Sequence, residues 1–279
     1  MLADKNLGVI GAGNMGKALV AGLVKACIVD PGKVLVSDIS ADKLARFESA
    51  YGVRTTADNR ALVESSDLVV LAVKPQVMGA VLADCGDAFR NDQVVISIAA
   101  GITTGYIESR IQDGIPVVRV MPNTPAMVGE AMTPYCLGRH GFAEQSLLAS
   151  QIFSAVGVTV QVEESFLDAI TALSGSGPAY LFYLLEGLIE AGRDMGLPDH
   201  LSRALVRQTA FGAARLVHQT TSTPGELREQ VTSPQGTTHA AVTYLEEHGF
   251  SDILRAAVIK ARDRAVELGR LNGGEKKEQ

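Results

Sequence analysis

Gly11-Ala12-Gly13-Asn14-Met15-Gly16 has the spacing G-x-G-x-x-G, directly after the apolar run Leu7 to Ile10 and at the start of a helix-like stretch. Each glycine has a physical task when a phosphate must be cradled by backbone. Gly11 permits the tight turn, Gly13 lets the backbone approach a pyrophosphate with no side chain in the way, and Gly16 allows close helix packing. The phosphates would rest on N–H groups at the positive end of the helix. Asp38 follows Gly16 by 22 residues, at the end of a second apolar run, which is the spacing of a ribose-binding acid. A carboxylate there accepts hydrogen bonds from a ribose diol and repels a 2′-phosphate, an argument for NAD over NADP. Ser37 is a weak opposing donor, no Arg directly follows Asp38, and the choice between NADPH and NADH stays open.

Two further strand ends, Ala72-Val73-Lys74-Pro75-Gln76 and Ile98-Ala99-Ala100-Gly101, carry small residues where an open α/β sheet binds its ligand. Lys74 reads equally as a solvated residue before a helix. The turn Pro122-Asn123-Thr124-Pro125 offers donors to an amide or a substrate, or serves only as a rigid loop. In the second half, Ser174-Gly175-Ser176-Gly177-Pro178 interrupts two helices, with Pro178 suited to a first turn. Val231-Thr232-Ser233-Pro234-Gln235-Gly236-Thr237-Thr238 gathers hydroxyl side chains and free N–H groups at the start of the helix-like Ala240 to Glu247. That arrangement suits a small carboxylate; the alternative is an elaborate N-cap.

These residues need a scaffold, and the chain of 279 residues supplies one. The apolar runs Leu7 to Ile10, Val34 to Ser37, Leu68 to Val73, Val94 to Ala99 and Val117 to Met121 read as buried parallel strands. Ala18 to Lys25, Asp42 to Ser49, Gln76 to Phe89 and Tyr106 to Ile111 supply the crossover helices. This is a doubly wound α/β pattern with a mostly parallel sheet, finished by a helix over Glu144 to Ala155 and a strand over Val158 to Val162. After about Glu163 only helical periodicity remains, which predicts domains 1–162 and 163–279. Tyr180 to Met195 and His200 to His218 are apolar over wide arcs, as in a bundle or a subunit interface. Leu254, Ala257, Val258, Ala261, Ala265 and Leu268 form one stripe. Asn272 to Gln279 reads as a disordered tail.

Other classes fit poorly. A net charge of −6, with no basic run longer than Lys276-Lys277, argues against nucleic acid. Cys27, Cys85 and Cys136 are far apart and odd in number, and the five histidines lack ligand spacing, so neither disulfides nor a metal are expected. No signal peptide or membrane span is evident, and the chain reads as cytoplasmic. No Lys stands between Lys74 and Lys260, so a lysine general acid is excluded across most of the helical half, as is the serine elbow GxSxG. Hydroxyls without a strong acid suit a substrate that already accepts hydride, such as a protonated imine. His239 borders the hydroxyl cluster but reads as a helix-surface residue.

GAGNMG, AVKPQ, SIAAGI, RVMPNTP, SGSGPAY and VTSPQGTTHAA, in this order, resemble the Δ1-pyrroline-5-carboxylate reductases over nearly the whole chain. The resemblance implies reduction of the cyclic imine pyrroline-5-carboxylate to proline with NADPH or NADH, the last step of proline biosynthesis. It implies an N-terminal Rossmann domain followed by an all-α C-terminal dimerisation domain, in a homodimer from which decamers of five dimers are built in some members. Carried over, the substrate loop falls on Ser233, Gly236, Thr237 and Thr238, with Thr238 hydrogen-bonding the ring nitrogen as the catalytic hydroxyl. Cofactor contacts fall on Gly11, Ala12, Gly13, Asn14 and Met15, on Ser37 and Asp38, on Asn59, on Ala72, Val73, Lys74 and Pro75, and on Ala99, Ala100 and Gly101. Many relatives carry Asn-Arg or Ser-type residues where Ser37-Asp38 stand here, a departure that bears on the cofactor and not on the reaction. A hydroxyacid dehydrogenase and a dinucleotide sensor on the same fold are the rivals.

Overall fold

A computed structural model describes residues 2–273. After a 3-10 turn the elements run β1 (Leu7–Ile10), α1 (Asn14–Lys25), β2 (Val34–Ser37), α2 (Ala41–Tyr51), β3 (Arg54–Thr56), α3 (Asn59–Glu64), β4 (Leu68–Leu71) and α4 (Pro75–Cys85). There follow β5 (Val94–Ser97), α5 (Thr104–Glu108), β6 (Val117–Val120), β7 (Ala131–Leu137), α6 (Ala143–Phe153), β8 (Gly157–Gln161) and α7 (Leu167–Ile170). A π-helical turn, Thr171–Gly175, leads into α8 (Gly177–Asp194), α9 (Asp199–Gln219), α10 (Pro224–Gln230), α11 (Thr237–Glu247) and α12 (Phe250–Gly273).

The sheet has the order β3-β2-β1-β4-β5-β6-β7-β8. Every pairing is parallel except β6 with β7. Its first six strands have the 3-2-1-4-5-6 order of the Rossmann fold. The inner strands are apolar on both faces because alternate residues feed two cores. Leu7, Val9, Val36 and Ile96 pack with Leu19 and Leu23 of α1, Phe47 of α2 and Ile152 of α6. Ile10, Leu35, Val69 and Leu71 pack on the other face with Leu62 of α3 and Met78 of α4.

The chain divides into two compact units, one running to Ser176 and resuming at Ala261, the other Gly177–Lys260. The last strand ends at Gln161, and among the described residues every regular element beyond it is helical. The compact units thus follow packing, whereas a division at 162/163 follows where strands end. The tail expected over Asn272 to Gln279 needs correction at its start, because Asn272 and Gly273 belong to α12; the remaining residues lie outside those described. In the second unit, large apolar side chains of α8 and α9, among them Leu181, Phe182, Leu188 and Phe211, are exposed on the single chain. No helix among the described residues is long and apolar enough to cross a membrane.

Candidate functional site

In the first unit, β1 ends in Ile10 and the chain turns at Gly11, whose φ of +113° is open to glycine and strained for other residues. The turn is fixed by Gly11 N–H donating to Ser37 O (2.7 Å). A Cβ on Gly11 would stand 2.7 Å from the carbonyl oxygen of Ala72, and one on Gly16 would stand 2.5 Å from that of Gly11. Both glycines are therefore demanded by the chain's own packing. Gly13 differs: a Cβ there meets nothing within 4 Å. Gly13 is also the N-cap of α1 and supplies no side-chain cap, so the first-turn N–H groups of a twelve-residue helix face open space. Such an opening could hold a pyrophosphate, offering it backbone donors and the positive end of the dipole together.

Asp38 closes the other side of the loop. Its Oδ2 accepts from Ala12 N–H (2.9 Å) and its Oδ1 from Ser40 N–H (2.9 Å), while Lys43 Nζ stands 3.2 Å from Oδ2. Burial acts to raise its pKa, but the N–H groups of Ser40 and Ala12 and the Lys43 ammonium together hold the carboxyl below its ordinary value. Ser37 is fully buried, and its hydroxyl donates to Asn59 Oδ1 (2.8 Å). That bond leaves the Ser37 hydroxyl no proton for a ligand, so Ser37 and Asn59 brace the end of β2 against α3. Asn59 Nδ2 reaches on to Asp84 Oδ2 at 3.4 Å.

The remaining strand ends fall on the same edge of the sheet. Ala72 and Val73 are half-buried and Lys74 is exposed at the N-cap of α4, with Pro75 at its first position. Ala99 is in the core and Ala100 half-buried, so Ala99 meets a ligand only through its backbone. Gly101 is buried at φ +73°, and a Cβ there would stand 3.2 Å from Gly269 Cα. Asn123 spends its amide on structure: Nδ2 donates to Ser174 O (3.2 Å), and Oδ1 accepts from Met132 N–H (3.1 Å). Asn123 is thus a brace to Ser174 rather than a free donor.

Sequence reasoning missed the group that fixes the loop after β5. Arg119, on β6, points away from its neighbours Val118 and Val120, and its side chain is 5% exposed. Its Nη1 donates to Glu164 Oε1 (3.1 Å) and its Nη2 stands 3.5 Å from Asp168 Oδ1. Glu164 also accepts from Thr104 N–H (2.8 Å) and Thr104 Oγ1 (2.7 Å) at the start of α5. Only the Thr103 N-cap left a signal in the sequence, its Oγ1 accepting from Tyr106 N–H (3.1 Å).

In the second unit, α10 ends at Gln230 and the loop to α11 turns sharply, with Gln235 left-handed at φ 60°. Gly236 N–H donates to Ser233 O (3.0 Å), and a Cβ on Gly236 would collide with Ser233 Oγ. Gly236 is the N-cap of the eleven-residue α11 and no side chain caps that helix, which removes the elaborate N-cap reading. Thr232 spends its hydroxyl on Arg228 O (2.6 Å). Ser233, Thr237 and Thr238 make no hydrogen bond through their hydroxyls among the described residues, and His239 is exposed. Three hydroxyls and an open helix start thus lie on one short loop. Among the described residues no group of three or more His, Cys, Asp or Glu is placed to hold a metal ion.

The strand order, the glycine turn and the acid at the end of β2 define a Rossmann dinucleotide-binding protein joined to a helical unit. Residues 164–268 match the family described as pyrroline-5-carboxylate reductase dimerisation, and residues 6–101 match one described as NADP oxidoreductase, coenzyme F420-dependent. The chain is 41% identical over 269 residues to the pyrroline-5-carboxylate reductase of Methanosarcina acetivorans, covering 96% of this chain and 100% of that one. It is 40% identical to that of Corynebacterium melassecola, covering 95% and 98%. Among solved structures, the Coxiella burnetii reductase superposes with a TM-score of 0.86 at 38% identity, covering 95% of this chain and 98% of that one. The Plasmodium falciparum pyrroline carboxylate reductase, solved with NADP bound, gives 0.88 at 30%, covering 96% and 100%. This chain belongs to the pyrroline-5-carboxylate reductase family.

Proposed function

We propose that the protein reduces the C=N bond of 1-pyrroline-5-carboxylate to give L-proline, the last step of proline biosynthesis, using NADPH or NADH. It is an oxidoreductase acting on CH–NH groups. The observation that carries the reading is likeness over essentially the full length to relatives that bear this name. When bound, the reduced nicotinamide would supply a hydride from its C4 to the carbon of the protonated imine, whose nitrogen already carries the proton it keeps in the amine.

The chain's own residues hold and orient. Gly11, Ala12, Gly13, Asn14 and Met15 present the backbone of the α1 start to the pyrophosphate, and Asp38 faces the ribose next to it. Ala72, Val73, Lys74 and Pro75 and the backbone of Ala99, Ala100 and Gly101 line the cofactor's further course; Ser37 and Asn59 support it from below. Ser233, Gly236, Thr237 and Thr238 take the substrate: N–H groups at the start of α11 and the Ser233 hydroxyl bind its carboxylate, and the Thr238 hydroxyl hydrogen-bonds the ring nitrogen. An already polarised imine needs little proton transfer, so catalysis is mostly positioning.

The functional boundary falls between a cofactor domain, 1–162, and a substrate-binding and dimerisation domain, 163–279. The protein assembles with copies of itself, and the exposed apolar side chains of α8 and α9 support a homodimer as the basic unit, with five such dimers forming a decamer. It works in the cytoplasm on a small molecule and takes neither nucleic acid nor metal. The test is oxidation of NADH and of NADPH by the purified protein with and without pyrroline-5-carboxylate. Imine-dependent oxidation is expected; nucleotide binding without it would leave a sensor.

A further inference from the structure

A cavity of about 230 Å3 opens in the first unit, between the loop after β5 and the last turns of α12. It is smaller than the ~300–1,000 Å3 of pockets for drug-sized ligands, so it suits a molecule of few heavy atoms. Gly101 and Gly269 meet there, and neither brings a side chain to fill the space. A guanidinium carries five N–H donors. Arg119, although buried, makes one hydrogen bond among the described residues, from Nη1 to Glu164, and its Nη2 stays 3.5 Å from Asp168 Oδ1. None of its nitrogens is both sealed from solvent and unbonded, so the spare donors open onto the cavity that Arg119 lines. Buried polar groups are bonded as a rule, and these donors call for an acceptor. Arg270, on the cavity's other wall, pairs with no carboxylate among the described residues. Thr103 Oγ1 accepts from Tyr106 N–H and keeps its own proton to donate.

The fixed charges already balance: the guanidiniums of Arg119 and Arg270 stand against the carboxylates of Asp168 and Glu164. A lone anion would bring one uncompensated charge into a secluded place, which costs free energy, whereas a zwitterion keeps the balance. We infer that this cavity is a binding site for a small free α-amino acid, its carboxylate on the donors of Arg119, Arg270 and Thr103 and its ammonium on Asp168. Asp168 Oδ2 makes no bond among the described residues and is available to that ammonium. Hydrogen bonds between guanidinium and carboxylate are charge-assisted and therefore among the strong ones. Val266 offers the apolar surface for the ligand's side chain. Every lining residue belongs to the first unit, and the inference goes beyond the reductase reading without depending on it.

The experiment titrates the full chain with L-alanine, followed by saturation-transfer NMR, beside acetate and methylammonium, which each carry one half of the zwitterion. L-alanine is the probe because L-proline, as product of the proposed reaction, would also occupy the substrate loop. L-alanine should bind saturably with a Kd of about 1 mM or tighter, and each half-ligand about tenfold or more weakly. Arg270→Gln and Asp168→Asn should each weaken L-alanine about tenfold. Arg270 is exposed, so its variant reports even where Asp168→Asn disturbs Arg119. Absence of saturable binding overturns the inference and leaves the cavity to water. Acetate binding as tightly as L-alanine overturns it too, as does L-alanine binding that Arg270→Gln leaves unchanged. Loss of L-alanine binding in saturating NADH places the ligand in the cofactor cleft, and loss in Ser233→Ala places it in the substrate loop; either result refutes the cavity. Imine-dependent turnover by the unmodified protein reports on the reductase reading separately.

Discussion

Arg119 carries the most consequential buried charge of the first unit, and Arg119→Met removes it with little loss of volume. The variant deprives Glu164 and Asp168 of the guanidinium they share, while Glu164 still holds the start of α5 through Thr104. Removing one partner of a buried ion pair costs about 3–5 kcal/mol. Both carboxylates keep roughly a third of their side-chain surface in contact with water, so solvent recovers part of that and the lower limit, about 3 kcal/mol, applies. At about 2–4 °C per kcal/mol for a unit of this size, the apparent Tm should fall by about 6–12 °C. The assay is thermal denaturation followed by circular dichroism, at one fixed protein concentration because the protein self-associates. Glu164→Gln, which keeps an acceptor for Thr104, should cost less. The double variant should cost less than the sum of the two, with a coupling of about 1–2 kcal/mol. A Tm change under about 2 °C for Arg119→Met, or a coupling below about 0.5 kcal/mol, would refute the view that this ion pair fixes the loop.

Gly13→Ala should leave folding intact, because its Cβ meets nothing, yet weaken nucleotide binding about tenfold or more through contact with the pyrophosphate; unchanged affinity would mean the phosphates lie elsewhere. Gly11→Ala, in contrast, should lower the Tm itself, since its Cβ meets the Ala72 carbonyl at a positive φ. Thr238→Ala should reduce turnover while chromatography shows an unchanged oligomer, and unaltered kcat would remove Thr238 from the site. Burial pushes the Cys85 thiol up to about 11 and the Cys136 thiol up to about 12, while Cys27 is exposed. A thiol reagent at pH 8 should therefore label Cys27 in the native protein and all three cysteines in denaturant, and rapid native labelling of Cys136 would contradict its burial.

The strands β1, β2, β4, β5 and β6 were legible because burial on both faces writes an unbroken apolar run into the sequence. Arg54–Thr56 gave no such signal: β3 is a short edge strand with an exposed residue, held by register with β2 rather than by its own composition. Pro134 hid β7, since a proline argues against an inner strand, yet its carbonyl accepts from Met121 N–H (2.8 Å) and the strand is kept. The helix α3 was too short for periodicity to register, although Asp58 caps it by accepting from Ala61 N–H (3.1 Å). At the site, the glycine turn and Asp38 were legible because local spacing encodes them. The roles of Ser37, Asn123 and Arg119 were not, because each depends on a partner far along the chain: Asn59, Ser174 and Glu164.

The close approach of Gly101 to Gly269 bears on the order in which the molecule can be finished. Gly101 emerges from the ribosome early, whereas the backbone that covers it belongs to the stretch after Ala261, made only after all of Gly177–Lys260. A nascent chain that has reached Lys260 thus has every strand of its sheet and the loop at Gly101 still uncovered. Final closure of that loop joins residues far apart in sequence, a slow kind of contact to form, and it falls at the end of synthesis.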